Sequence, residues 1–476
     1  MKLIFEKGKK GRSCCILPPC AVPVVEVSKS VARKKSARLP CVDENEISRH
    51  YWSLAKRSFG INDGFYPLGS CTMKYNPKIN EELASLPGFT DIHPLQPLHT
   101  VQGCVKILDI SSEYLKEITG MEAISFQPAA GSHAEFAGLL MFKAYHQSRK
   151  DFARNKIIIP DSAHGTNPAS AAMAGFETIN IPSGKDGCVD LASLQNAVGP
   201  DTAGLMLTNP NTLGVFDPNI LEITEIVHRA GGLNYYDGAN LNAIMGIVRP
   251  GDMGFDAIHL NLHKSFSTPH GGGGPGLGVL GCNKTLAPFM PLSAFELFPP
   301  DSPAMSIGRV RAFWGNFLVT VKAAAYLLTL GKENIPEAAK NAVLNANYMM
   351  ERLKEKIPAV TDGPCMHEFV VSLEELKNVH GVSALDFAKA LQDSGIHPPT
   401  MYFPLIVKEA IMIEPTETES KEAIDAAVDI FLDLLEKAGE KPVDLQSAPK
   451  KTVISRPDET RAARQPVLRF GFGDIL

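Results

Sequence analysis

The sequence has 476 residues, of which 44% are hydrophobic and 21% charged, and its formal net charge is −5. This length predicts about two or three domains, and the composition is ordinary for a globular protein. The slightly acidic charge gives no electrostatic case for a nucleic-acid partner, and no apolar run is long enough to predict a membrane span.

The nine cysteines are scattered along the chain and odd in number. This usage is more typical of reduced thiols than of a disulfide framework, and it favours a cytoplasmic protein. Cys14, Cys15 and Cys20 lie close together, but no Cys or His pair follows at zinc-finger spacing. We therefore expect no metal site.

Residues 1–60 are rich in Lys, Arg and Pro and show little helical periodicity, which predicts an extended arm that wraps another subunit or domain; a disordered tail is the alternative. The loop Gly64–Pro77 follows and combines turn residues with aromatic and hydroxyl side chains. We interpret it as an ordered loop that enters a site. Ser70, Thr72 and Asn76 are candidate substrate contacts, although a loop packed against a core explains each of them as well.

From residue 61 to about 305, strand and helix patterns alternate, which predicts a large α/β domain. A helix is predicted over Val105–Thr119, ending at Gly120, and a strand over Ala123–Phe126 leads to a helix over Ala134–Tyr145. The small-residue turn between the last two contains Gly131 and Ser132. Such a turn presents backbone N–H groups at a helix N-terminus, so these residues are the candidate phosphate ligands.

The alternation continues toward the middle of the chain. Further strands are predicted at Lys156–Pro160, Glu177–Ile181, Gly204–Thr208, Leu233–Tyr236, Ala257–Leu260 and Gly276–Leu280. Helices are predicted at Ala169–Ala174, from an Asp190 N-cap to Ala197, and at Ile220–Ala230.

Polar side chains follow four of these strands at the point where each ends: His164, Asn211, Asp237 and Lys264. In an open α/β sheet, ligands bind at the edge formed by the carboxyl ends of the strands. A buried or solvated side chain explains any one of these residues. The occurrence of all four at one edge favours a site.

Lys264 lies between a buried strand and a run of four glycines, Gly271–Gly274. A lysine in this position can form a Schiff base with pyridoxal phosphate (PLP). PLP also requires a carboxylate at the pyridine nitrogen, a flat group over the ring and an anchor for the phosphate. Asp237, His164 and the Gly131–Ser132 turn can supply these, and Thr208 and Asn211 are further candidate cofactor contacts.

Residues 306–476 predict a smaller α+β domain with a polar tail. Helices are expected at Phe317–Leu330, from near Asn334 to Ile357, and at Lys421–Ala438. Strands are expected at Glu368–Ser372, Tyr402–Ile406 and Ile411–Ile413.

Seven segments resemble the P-protein family of the glycine cleavage system: GFYPLGSCTMKYNP, PAAGSHAE, DSAHGTNPASAAMAGF, LTNPNTLGVF, YYDGANLNA, HLNLHKSFSTPHGGGGPG and IEPTETES. The resemblance covers nearly the whole chain and is closest to the second of two separate subunits, the one that carries the PLP lysine. It implies fold type I, similar to aspartate aminotransferase, with a mostly parallel sheet in the large domain.

The resemblance also implies an activity and partners. Glycine would displace Lys264 to form an external aldimine and lose CO2, and the aminomethyl group would pass to the lipoyl arm of H-protein. His164 would stack on the ring and Asn211 would lie near its hydroxyl. The expected assembly is a heterotetramer with two copies each of this chain and of P-protein subunit 1.

Two alternatives remain from the residues alone. The constellation suits other PLP reactions, such as transamination or β-elimination, because the cofactor carries the chemistry. The second alternative is a non-catalytic structural subunit that has kept the fold. The presence of Lys264 and Asp237 argues against it.

Overall fold

The computed structural model describes residues 2–9, 11–12, 18–35, 37, 39–271, 276–292, 305–468 and 471. Gly272–Gly274 of the glycine run, Cys14 and Cys15 lie outside the described residues. The helices are α1 (Glu44–Ala55), α2 (Lys78–Ala84), α3 (Pro87–Thr90), α4 (Gln102–Thr119), α5 (Gly131–Ser148), α6 (Thr166–Met173), α7 (Leu191–Ala197), α8 (Ile220–Arg229), α9 (Leu262–Ser265), α10 (Phe317–Leu353), α11 (Glu374–His380), α12 (Ala384–Asp393), α13 (Lys421–Glu440), α14 (Pro442–Gln446) and α15 (Glu459–Arg464).

The strands are β1 (Ala123–Ser125), β2 (Lys156–Pro160), β3 (Glu177–Ile181), β4 (Thr202–Leu207), β5 (Leu233–Gly238), β6 (Ala257–Asn261), β7 (Gly278–Cys282), β8 (Phe369–Ser372), β9 (Thr400–Met401) and β10 (Ala410–Ile413). Within the described residues, the first seven form one sheet in the order β1-β7-β6-β5-β4-β2-β3. The pairs from β3 through β6 are parallel, and β7 runs antiparallel to both of its neighbours. The predicted mostly parallel sheet is therefore confirmed.

Both faces of this sheet are covered, as its continuous apolar strands require. Tyr235 and Tyr236 are adjacent in β5 and fully buried, and they belong to different apolar clusters. Successive side chains of a strand point to opposite faces, so each tyrosine marks one of the two cores. β5 is thus held at the centre of the sheet from both sides.

Local signals placed several element ends correctly. Asp190 caps α7 by accepting a hydrogen bond from the Ser193 N–H at 2.7 Å. Gly120 ends α4 with φ +73°, a left-handed conformation that glycine adopts readily. α10 contains the two helices predicted there, because Gly331 breaks it with φ +66° and ψ 176°.

A second, smaller sheet has the order β8-β10-β9 and is antiparallel. The predicted strand at Tyr402–Ile406 is wrong, since only Thr400–Met401 pairs here. Tyr402 has φ +57°, outside the β region, and Pro404 has no N–H to donate to a ladder. The predicted strand after the glycine run lies two residues further on, at Gly278–Cys282.

The chain forms two compact units, one of residues 61–451 and one of residues 1–60 with 452–476. The predicted arm contains a helix, α1, that the sequence analysis did not predict; Asp43 caps it by accepting from the Glu46 N–H at 2.8 Å. The division into an arm, a large domain and a small domain remains a prediction. In the described part of the chain, no helix combines the length and apolarity needed to cross a membrane.

Candidate active site

The carboxyl ends of the parallel strands β2, β4, β5 and β6 meet at one edge of the large sheet. The predicted site residues lie at this edge: His164 after β2, Thr208 after β4, Asp237 near the end of β5, and Lys264 in α9 directly after β6. Asp237 and His259 are register partners across β5 and β6, so Lys264 follows five residues after the partner of Asp237. The edge predicted from the sequence is therefore the one that forms.

The Asp237 carboxyl group is buried and surrounded by hydrogen-bond donors and histidine rings. Its carboxylate accepts from Asn167 Nδ2 at 3.0 Å and from the Ala239 N–H at 2.9 Å, and ring nitrogens of His164 and His259 each stand 3.3 Å away. Burial alone would raise the pKa of Asp237, but His259, His164 and the Asn167 hydrogen bond hold it well below its usual range. The buried group is therefore a carboxylate.

A second layer of polar side chains fixes the residues around Asp237. Asn167 Nδ2 donates to both Asp237 and Glu135, and Thr166 and Ser170 donate to Glu135 at 3.1 and 3.2 Å. Sequence reasoning missed Asn167, Glu135 and His259. Only His259 carried a usable signal, because its spacing from Asn261 puts both on one face of β6.

The His164 ring is supported by an aromatic side chain. Its ring stacks on Phe403 with centroids 5.6 Å apart and an angle of 17° between the planes. Phe403 comes from the segment between β9 and β10, so the smaller sheet contributes to this edge. A ring held flat on one side leaves its opposite face suited to another planar group.

The predicted phosphate residues lie at the start of α5. A β-carbon at Gly131 would stand 2.5 Å from Asn261 Nδ2 and 3.1 Å from His259 Nε2, so a larger residue here would displace the Asn261 amide. Ser132 is exposed in the first turn of this 18-residue helix. The first N–H groups of a helix have no partner within it, and an anion satisfies them.

Thr208 and Asn211 differ in how many of their side-chain hydrogen-bonding groups already have partners. The buried Thr208 hydroxyl has no hydrogen-bond partner among the described residues. Asn211 Oδ1 accepts from Leu213 and Val215 N–H groups, and its Nδ2 donates to the Gly187 carbonyl at 2.7 Å. These contacts occupy the Asn211 side-chain oxygen and one of its two amide N–H groups. A role for Asn211 at the cofactor's ring hydroxyl remains a prediction.

Lys264 points toward the predicted ordered loop. Its Nζ donates to the Ser70 carbonyl at 2.8 Å, a contact that spans 194 residues. Ser70 has φ +66°, an uncommon conformation for a residue other than glycine, and its N–H donates to Glu368 at 2.7 Å. The structure therefore brings Ser70 to the lysine through its backbone carbonyl rather than its hydroxyl.

Lys74, in the same loop, was not predicted. Its buried ammonium pairs with Glu417 at 2.6 Å and donates to the Ser265 carbonyl at 2.8 Å and the Tyr326 hydroxyl at 3.2 Å. It thereby ties the loop to α9, the helix that carries Lys264. Thr72 is buried nearby, while Asn76 donates only to the Lys74 carbonyl within the described contacts.

Histidines on the far side of Lys264 are held neutral. Burial, with His270 and Lys264 adding to it, lowers the pKa of His263 to about 3. Burial also lowers the pKa of His270, whose ring lies edge-on to His263 at 5.0 Å. Neither ring competes with the lysine for negative charge at neutral pH.

These residues fit PLP on observations made at three separate places. The ionised Asp237 suits a protonated pyridine nitrogen, the first turn of α5 with its exposed Ser132 suits a phosphate, and the unpaired Thr208 hydroxyl suits a polar group of a ligand. A lysine amine stands at the same sheet edge.

Comparisons with known proteins show the family of this chain. Residues 338–454 match the family model described as the C-terminal domain of glycine dehydrogenase. The chain is 57% identical over 478 residues to a probable glycine dehydrogenase (decarboxylating) subunit 2 of Treponema denticola, covering 98% of both chains. It is 55% identical over 479 residues to the protein of the same name from Caldanaerobacter subterraneus, again covering 98% of both.

Among solved structures, the chain resembles glycine decarboxylase (P-protein) of the glycine cleavage system in inhibitor-bound form. The TM-score is 0.69 at 20% identity, and the match covers 88% of this chain and 92% of that one. At this identity the likeness shows the fold alone. It confirms the predicted α/β architecture of fold type I.

Proposed function

Because this chain belongs to the glycine dehydrogenase (decarboxylating) subunit 2 family, we propose that it binds PLP on Lys264 and decarboxylates glycine, with transfer of the aminomethyl group to the lipoyl arm of H-protein. The observation that carries the proposal is Asp237. It is a fully buried carboxylate kept ionised at the end of β5, one strand from Lys264. Burial opposes ionisation, and a carboxyl group that stays ionised despite burial is characteristic of a functional site.

Each residue has a separate task in this proposal. Lys264 holds the cofactor's aldehyde, and Asp237 pairs with the pyridine nitrogen in its protonated form. His164, supported by Phe403, covers one face of the ring. Gly131 and Ser132 bind the phosphate at the N-terminus of α5, and the Thr208 hydroxyl donates to the cofactor.

When bound there, PLP supplies an electron sink for the pair of electrons that remains after glycine loses CO2. The protein keeps that sink effective by holding a proton on the pyridine nitrogen, which the negative charge of Asp237 stabilises. The rest of the edge orients the substrate. Ser70, Thr72 and Asn76 are the proposed substrate contacts, with Ser70 acting from the loop that already faces Lys264.

A partner subunit follows from the family, whose members are named as the second of two subunits. We propose a heterotetramer with two copies each of this chain and of P-protein subunit 1. The arm supports such a contact, because it exposes a set of apolar side chains: Val22, Val24, Val25, Val27 and Val31. Clustered exposed apolar residues are typical of a surface that another protein covers.

Borohydride reduction of the PLP-loaded protein is expected to leave a pyridoxyl label on Lys264, because reduction makes the Schiff-base linkage permanent. Peptide mapping by mass spectrometry locates the label. Lys264→Ala should carry none. Lys74 is the matched comparison, since it is a buried lysine in the loop beside α9. A label on Lys74 or any other lysine would contradict the assignment.

Exchange of labelled bicarbonate into glycine is expected to require this chain, subunit 1 and lipoylated H-protein together. The assay omits each component in turn. Leaving out subunit 1 should reduce exchange to near background while PLP remains bound to this chain. Full exchange by this chain with H-protein alone would refute the partner requirement and leave the PLP assignment intact.

A further inference from the structure

Two buried glutamates that have no part in the chemistry above lie beside the loop that faces Lys264. Glu368 comes directly before β8 and Glu414 directly after β10. Because Ile413 is the register partner of Phe369, the next residues outward, Glu414 and Glu368, lie opposite each other. Their exposed fractions are 1% and 0%. Like charges in this arrangement are destabilising, so the two carboxyl groups cannot both be ionised without compensation.

The two glutamates differ sharply in their hydrogen bonding. Glu368 accepts from the Ser70 N–H at 2.7 Å and from Asn240 Nδ2 at 3.1 Å. Neither carboxyl oxygen of Glu414 has a hydrogen-bond partner among the described residues. The His367 ring, also without partners there, is 4.0 Å away. Donors stabilise the ionised form of a carboxyl group, so the negative charge belongs on Glu368.

The effects on the pKa agree with this assignment. Burial, followed by the charge of Glu368, raises the pKa of Glu414 well above its usual range. The Thr72 hydroxyl, which stands near Glu414 outside hydrogen-bond geometry, and the Lys264 ammonium act in the opposite direction without reversing it. The lack of a described donor, the burial and the neighbouring charge of Glu368 thus all favour the protonated form of Glu414.

The titratable groups around the two glutamates add no unpaired charge of their own. These groups are Cys71, Lys74, His263, His270, His367 and Glu417. Burial lowers the pKa of each of the three histidines and raises that of the Cys71 thiol, so all four are uncharged. Lys74 and Glu417 neutralise each other at 2.6 Å.

One residue connects this charge to the lysine. Ser70 donates its N–H to Glu368 and accepts the Lys264 amine on its carbonyl, at 2.7 and 2.8 Å. A serine at φ +66° needs its neighbours to hold it there, and Glu368 supplies such a hold. The side-chain amide of Asn240 fixes Glu368 in turn, since it also donates to the Pro210 carbonyl.

We propose that Glu368 is a positioning residue for Lys264. It acts through Ser70, whose carbonyl it fixes opposite the lysine amine, and its negative charge balances the positive charge of the lysine. Glu414 carries a proton, so the two glutamates can lie side by side without two negative charges. The proposal rests on the proposed function, since it assigns Lys264 to the cofactor. It concerns Ser70, Glu368 and Glu414 and does not depend on which amino acid is the substrate.

The test is a pH titration of the Lys264–PLP linkage, followed by visible absorbance in wild type, Glu368→Gln and Glu414→Gln. A negative charge stabilises the protonated linkage, so Glu368→Gln should lower the midpoint by roughly 1 pH unit, a tenfold loss of proton affinity. Glu414→Gln replaces a neutral acid by a neutral amide of the same shape and should leave the midpoint unchanged. An unmoved midpoint in Glu368→Gln, or an equal shift in both variants, would overturn the proposal.

A second measurement does not depend on either variant's titration. Wild type should show the infrared carbonyl band of a buried protonated carboxyl group, and the band should be missing in Glu414→Gln. Absence of the band in wild type overturns the proposal even if Glu368→Gln does not fold. One equivalent of a divalent metal in the purified protein, lost in Glu414→Gln, would also overturn it, because a cation would then replace the proton.

The borohydride label on Lys264 distinguishes failure of the proposed function from failure of the roles given to Glu368 and Glu414. If Lys264 carries no label, the proposed function fails and this inference fails with it. If Lys264 is labelled and the titration or the infrared band contradicts the expectation, only the roles of Glu368 and Glu414 are lost.

Discussion

Asp237→Asn is expected to reduce glycine-dependent bicarbonate exchange by about 100-fold or more while PLP stays bound. Asparagine has the shape of aspartate but no charge, so the pyridine nitrogen loses the partner that keeps it protonated. Removing one member of a buried charged pair costs about 3–5 kcal/mol, and 3 kcal/mol in a barrier corresponds to roughly two powers of ten. The measurement is the exchange rate per bound PLP, with PLP content determined by absorbance.

Asp256→Asn is the matched control for this prediction. Asp256 is also a buried aspartate of the large sheet and pairs with His228 at 2.8 Å, but it precedes β6 and therefore lies at the opposite edge. Its replacement is expected to lower the thermal unfolding midpoint and leave the exchange rate per bound PLP near that of wild type. Near wild-type exchange in Asp237→Asn with PLP bound would remove Asp237 from the proposed role.

Lys74→Met is expected to destabilise the protein by about 3–5 kcal/mol, because it leaves the Glu417 carboxylate buried without its counter-charge. Both side chains are almost inaccessible, at 1% and 8% exposure, so water cannot replace the lost partner. Denaturant unfolding of wild type and variant gives the difference in the free energy of unfolding. PLP affinity should fall as well, since Lys74 also fixes the Ser265 carbonyl beside Lys264.

The double variant Lys74→Met with Glu417→Gln separates lost charge balance from lost packing. Removing both charges should restore part of the stability, and the non-additivity measures the pair directly. Lys421→Met is the surface comparison: its partner Asp425 is 2.6 Å away, but the lysine is largely exposed and its loss should change little. A Lys74→Met variant as stable as wild type would show that Glu417 is uncharged in the folded protein.

The sequence predicted those parts of the site that depend on local patterns. Asp237 and Lys264 could be placed because each follows a short buried strand, and the carboxyl ends of parallel strands must meet. Gly131 could be placed at a helix N-terminus for a similar reason, because a small residue between a strand and a helix is typical of that position. Its role as a phosphate ligand stays a prediction. The PLP assignment itself depended on the order of these residues and on the family resemblance.

The residues that were missed depend on contacts distant in sequence. Glu368 contacts Ser70 across 298 residues, and Asn167 contacts Asp237 across 70. No periodicity or turn signal relates positions so far apart. The strand predicted at Tyr402–Ile406 failed for a different reason. Its apolar composition suggests a strand, but the backbone leaves the β region at Tyr402, whose N–H still donates to the Ala410 carbonyl, and Pro404 has no N–H to continue the ladder.

The contact between Ser70 and Glu368 also sets when the site can form during synthesis. The chain emerges from the ribosome N-terminus first, so the large sheet is complete at Cys282, well before Glu368 and Glu414 are available. Until they emerge, the Ser70 N–H lacks its Glu368 acceptor, and the contact of Lys74 with the Ser265 carbonyl is left to hold the loop near α9. If Lys264 binds the cofactor as proposed, we expect tight loading to be one of the last events in the maturation of each polypeptide, because the loop opposite the lysine takes its final position only then.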